Sequence, residues 1–83
     1  MSYALRLAAN ARKRLRALPL EVQEAVIDLL DKLAADAVGN QPAEEHELLY
    51  RDNATVYRIL FSTLADHAGR TLTVTSLWYI ARL

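Results

Sequence analysis

The sequence predicts an α+β fold in the order β-α-α-β-β-β. Three observations carry this. Residues 2–7 alternate apolar and polar types, residues 8–37 switch to three-and-four spacing interrupted once at Pro19, and residues 47–78 return to β-branched and aromatic runs separated by turn residues. Two helices between one strand and a three-stranded meander can fold back as a hairpin. They then cover one face of an antiparallel-dominated, twisted sheet that the first strand joins.

Taken in order, Tyr3, Leu5 and Leu7 point one way and Ala4 and Arg6 the other, as in a half-buried strand. Ala8, Ala11, Leu15 and Leu18 then share a helical face, with Arg12, Lys13, Arg14 and Arg16 mostly off it. Pro19 ends this segment, because it lacks a backbone donor and disfavours helical geometry at Leu18. It is tolerated in the first turn of the next helix, so a tight αα-hairpin is expected. In residues 20–37, Val22, Ala25, Val26, Leu29, Leu30, Leu33 and Ala34 trace a wide apolar stripe. Gly39 and Asn40 are stop signals and Pro42 follows, so residues 39–46 read as a polar connection.

Strands are expected at 47–51, 55–62 and 71–78. Asp52-Asn53 marks the first turn, and the loop Asp66–Arg70, centred on Gly69, marks the second. Val56, Tyr57, Ile59 and Phe61 give the middle strand its β-branched and aromatic character. Within it Tyr57, Ile59 and Phe61 share a face, which puts Arg58 on the other. No repeat or composition shift divides the chain, so residues 1–83 are expected to form a single domain.

Composition narrows the class. Apolar residues make up 53% and charged residues 24%, which is ordinary globular usage and argues against disorder. No apolar run is long enough to span a bilayer, the N-terminus lacks a signal-peptide core, and there is no cysteine. A cytoplasmic location without a membrane association is the expectation, with no disulfide and no thiolate metal site. His46 and His67 have no H-x-x-H or H-E-x-x-H spacing, so no metal or other cofactor is expected, and both read as surface histidines.

Net charge is zero but segregated. Residues 1–20 carry Arg6, Arg12, Lys13, Arg14 and Arg16 and no acid. Residues 21–47 carry Glu21, Glu24, Asp28, Asp31, Asp36, Glu44, Glu45 and Glu47 against Lys32 alone. Arg51, Arg58, Arg70 and Arg82 follow against Asp52 and Asp66. A neutral whole argues against strong non-specific nucleic-acid binding, whereas a segregated one permits a local basic surface.

Three stretches together resemble the RelE/ParE superfamily of bacterial toxins. They are Tyr3–Leu7 with the arginine-rich helix ending Leu18-Pro19, the long apolar helix after that proline, and Val56-Tyr57-Arg58-Ile59-Leu60-Phe61 followed by Thr73–Trp78. The resemblance runs through nearly the whole chain in order and spacing. It implies the toxin half of a type II toxin–antitoxin pair with a cognate antitoxin as partner. RelE-like members cleave mRNA on the ribosome, whereas ParE-like members poison DNA gyrase.

RNA cleavage by 2′-hydroxyl attack needs a proton acceptor, stabilisation of extra charge on the phosphate, and a proton for the leaving oxygen. Arginine suits the second task, because its planar fork pairs phosphate oxygens and stays charged. The resemblance makes Arg58 the match to the family's phosphate-contacting strand arginine. Arg51, on the preceding strand or its turn, and Arg82, in the tail, match further basic positions. Tyr79 is a candidate to stack on a base, while Trp78 reads as a packing residue. The ordinary alternative for each arginine is a solvated surface charge. The pattern departs from active members at Ile80 and Leu49, where basic residues are common. Three readings therefore stay open: a ribosome-dependent mRNA endoribonuclease, a gyrase inhibitor, and a decayed toxin that only binds its antitoxin.

Overall fold

The computed structural model describes residues 3–83. Its elements are β1 (Ala4–Leu7), α1 (Ala9–Arg16), α2 (Leu20–Asp36), β2 (Gln41–Asp52), β3 (Thr55–Asp66) and β4 (Thr71–Arg82). One sheet runs in the order β1-β4-β3-β2. β1 lies parallel to β4, and the other neighbours are antiparallel. The helical hairpin carries the chain across one face of the sheet, from β1 at one edge to β2 at the other. The expected fold class is therefore observed, as a mixed sheet with helices on one face.

The predicted strands are too short. β2 begins at Gln41, inside the expected polar connection, and β3 and β4 run four residues further than predicted. At the end of β3 the buried side chains are Thr63 and Ala65 while Leu64 is exposed, so hydropathy alternation misses a strand that burial follows. At the other end backbone pairing continues between exposed residues, as Val56↔Arg82 does. Pro42 falls within β2, an edge strand where a missing donor is tolerated, at a register shift between Gln41 and Glu44. Twelve extended residues span about 40 Å, which accounts for the 42 Å long axis of the molecule.

The helices bury the faces that their spacing predicts. Ala11, Leu15, Leu18, Val22, Val26 and Leu30 pack with Ile59, Phe61, Val74 and Leu77 of the sheet. A smaller cluster joins Tyr3, Ala34, Ala37, Ala65 and Leu72 at the other end. There the Tyr3 hydroxyl donates to the Gly39 carbonyl oxygen at 3.2 Å and lies 2.9 Å from His67 Nδ1. The contact pins β1 to the α2–β2 connection and the β3–β4 turn.

Two turns set the hairpins. Asp52 pairs with Thr55, leaving Asn53 and Ala54 as a two-residue loop with Asn53 at φ 54°. Asparagine tolerates that left-handed geometry. In the second turn the left-handed residue is Arg70, at φ 49°, rather than Gly69. Gly69 matters for room: a Cβ there would sit 3.0 Å from Asp66 Oδ2. The other oxygen of that carboxylate accepts from the Ala68 backbone N–H at 3.1 Å.

A bulge in β4 decides which side chains face out. Ser62 pairs with Ser76, but Thr63 pairs with Val74, so Thr75 is an extra residue. Beyond it the alternation changes phase. Val74 and Leu77 are both buried, and Trp78, Ile80 and Arg82 project from the face that the helices leave uncovered.

Candidate functional site on the open sheet face

On the open face, side chains fall into rows across β2, β3 and β4. Arg51, Val56 and Arg82 form one row, and Leu49, Arg58 and Ile80 the next. Glu47, Leu60 and Trp78 form the third, followed by Glu45, Ser62 and Ser76. A shallow depression of about 200 Å³ is lined by Leu49, Val56, Arg58, Ile80 and Arg82. Thus the structure brings Arg58 and Arg82 together around one hollow, with Arg51 across Val56 from Arg82.

Arg58 is exposed and held by a carboxylate. Its Nε and Nη2 donate to Glu47 Oε2 at 2.9 and 2.8 Å. Both donors meet the same oxygen, so Oε1 keeps its lone pairs for another proton. Glu47 was not among the sequence candidates. It belongs to a run of acids, and no spacing signals that β2 pairing sets it diagonally opposite Arg58, next to Leu60.

The two aromatic candidates exchange places relative to expectation. Tyr79 lies on the helix-facing side, half-buried against the core and across the sheet from Arg58. Trp78, expected to pack inward, is 58% exposed on the arginine face. The Arg14 guanidinium lies 3.4 Å from its ring centroid and donates to the Leu77 carbonyl oxygen at 3.3 Å. The physical cause is the Thr75 bulge, which shifts the phase between Val74 and Leu77. Its sequence signal is two consecutive polar residues, Thr75-Ser76, between apolar ones.

The histidines lie away from the arginines. His46 is half-buried rather than a surface residue, stacked on Phe61 at 5.1 Å, with Nε2 2.9 Å from Thr63 Oγ1. Pairing with β3 turns it toward the core side. His67 is exposed and engaged with Tyr3. Among the described residues no cluster of three His, Cys, Asp or Glu could hold a metal ion. No helix there is long and apolar enough to cross a membrane.

No family model and no curated protein matches the sequence. Solved structures do. A free-state structure of the E. coli toxin RelE, a double arginine-to-alanine mutant, has a TM-score of 0.65 at 19% identity, over 93% of this chain and 82% of that one. The RelBE2 toxin–antitoxin complex of Mycobacterium tuberculosis gives 0.61 at 20% identity, over 96% and 100%. The intact E. coli RelBE complex gives 0.61 at 20% identity, over 98% and 100%. With two helices on one face of a β1-β4-β3-β2 sheet over nearly its whole length, the chain has the fold of the RelE toxins.

Proposed function

We propose that this chain is the toxin of a type II toxin–antitoxin pair and acts as a ribosome-dependent mRNA endoribonuclease, silenced by a cognate antitoxin. The carrying observation is the hollow that gathers Arg58 and Arg82 on an open sheet face, with the Glu47 carboxylate at its margin. Similarity to chains of RelBE toxin–antitoxin complexes supports the antitoxin partner.

The chemistry needs no cofactor. Arg58 exchanges the Glu47 oxygen for a non-bridging phosphate oxygen, and Arg82 holds the same group from β4. Glu47 takes the proton of the attacking 2′-hydroxyl. The O2′–P bond forms as the P–O5′ bond breaks, giving a 2′,3′-cyclic phosphate and a 5′-hydroxyl. The leaving oxygen takes its proton from Glu47 or from water. Charge builds on the phosphate in the transition state, where fixed arginines act most strongly. Arg51 adds positive potential at the end of the hollow. Tyr79, on the other face, supports β4 by packing in this scheme.

A gyrase-directed reading is favoured by one observation: Leu49, Val56, Leu60, Trp78 and Ile80 make the same face unusually apolar, as a protein-docking surface would be. Induced expression with primer extension on a reporter mRNA separates the two. Growth arrest with new mRNA ends that disappear in Arg58→Ala is the expected result. Arrest without cleavage, persisting in an Arg51/Arg58 double alanine variant, would favour gyrase. Absence of arrest would mean a chain that only binds its antitoxin.

A further inference from the structure

A second hollow of about 180 Å³ lies on the same part of the sheet, lined by Glu45, Leu60, Ser62, Ser76 and Trp78 together with His46 and Phe61. The row Glu45–Ser62–Ser76 and the row ending in Trp78 adjoin along the strands. Two small serines beside a large ring leave the depression. Arg14 covers one side of the Trp78 ring at 3.4 Å and is anchored on the Leu77 carbonyl. The Trp78 row is also next to the Arg58 row, about 7 Å away along the strands.

We infer that this hollow is a nucleobase subsite, and that it selects bases carrying an exocyclic amino group. Its size, below the roughly 300 Å³ of pockets for whole drug-sized ligands, suits one planar ring system and not a nucleotide. Trp78 supplies an aromatic wall already polarised by a cation, to which any base adheres by stacking. The Ser62 and Ser76 hydroxyls both donate and accept, so they do not discriminate. Glu45 does. Its carboxylate only accepts, so it pairs with the amino group of cytosine, adenine or guanine and repels the carbonyl of uracil at the equivalent position. The same charge repels phosphate, which leaves the phosphate to the arginine hollow. The inference rests on the endoribonuclease reading and assigns Glu45 and Trp78 to substrate choice rather than to bond cleavage.

The chain contains one tryptophan, so its fluorescence reports on the ring that lines this hollow. The test titrates the full chain with CMP, UMP and inorganic phosphate, following that emission. CMP and UMP share a ring, so any difference isolates the amino group. The expected result is saturable quenching by CMP, roughly fivefold or more weaker binding of UMP, the low end for one base-edge contact, and no response to phosphate. Glu45→Gln should bring the two nucleotides together while keeping the quenching. Equal affinity for CMP and UMP in the wild type would overturn the proposal. So would a response to phosphate alone, or no nucleotide response at all, as expected if an apolar antitoxin segment fills the hollow. Binding here requires no catalysis. Loss of cleavage in Arg58→Ala without nucleotide discrimination would therefore sink the base subsite and leave the ribonuclease standing. Discrimination without any cleavage would do the reverse.

Discussion

Under the proposed reaction, Arg58 and Glu47 carry the most consequence of any two side chains. They face solvent at about half exposure, 54% and 42%, so their ion pair contributes only about 0.2–1 kcal/mol to folding. The pair is therefore poorly explained as a stabilising device. In the proposed reaction it is a charge held ready, with Glu47 occupying Arg58 until phosphate replaces it. Glu47→Gln should change the urea midpoint by less than about 1 kcal/mol of stability. The same variant should slow single-turnover cleavage by about 10²-fold or more, the range of a lost general base. Unchanged or faster cleavage would reduce Glu47 to a brake on Arg58. Arg82 acts as a second cation at the same hollow, while His46 and His67 are already committed to Thr63 and Tyr3.

Among the elements, β4 decides the character of the site. It links β1 to β3, and its Thr75 bulge rotates everything beyond by one face. Deleting Thr75 would remove the bulge and leave unbroken alternation from Leu72 onward, with Leu77 still facing the helices and Trp78 still facing out. The phase beyond the bulge is therefore anchored by Leu77, which is fully buried. Leu77→Ala is expected to lower unfolding stability by about 2–5 kcal/mol, the range for truncating a buried leucine. Denaturation followed by circular dichroism measures this, and an unchanged midpoint would mean that Leu77 does not hold the phase of β4. The turn at Asn53 is a milder control point, fixing the β2–β3 register that sets Glu47 beside Leu60 and next to Arg58.

For the whole molecule, zero net charge conceals a division of labour. α2 carries its acids on the far side of the core from the arginine face, while α1 brings Arg12, Lys13, Arg14 and Arg16 to the β4 flank. A ribosome or RNA partner would meet the α1 and open-sheet side and be repelled from α2. Association with ribosomes should thus weaken linearly on a log–log salt plot, by about 0.7 per single-strand phosphate neutralised. A flat response would exclude an electrostatic approach. Replacing Arg12, Lys13 and Arg16 with alanine should reduce the slope without touching the Arg58 hollow.

The order of elements, the buried stripe of α2, the break at Pro19 and the outward placement of Arg58 are all legible along the chain. Each follows from periodicity or backbone chemistry that acts within a few residues. Strand lengths, the parallel place of β1 beside β4, and the company Arg58 keeps were decided by tertiary structure. Strand pairing brings Glu47 to Arg58 and Arg82 to Val56 across long stretches of chain, and no local spacing records it. The exchange of Trp78 for Tyr79 on the open face has the same origin. One extra residue at Thr75, opposite the Ser62–Thr63 step of β3, changes which face the rest of β4 presents.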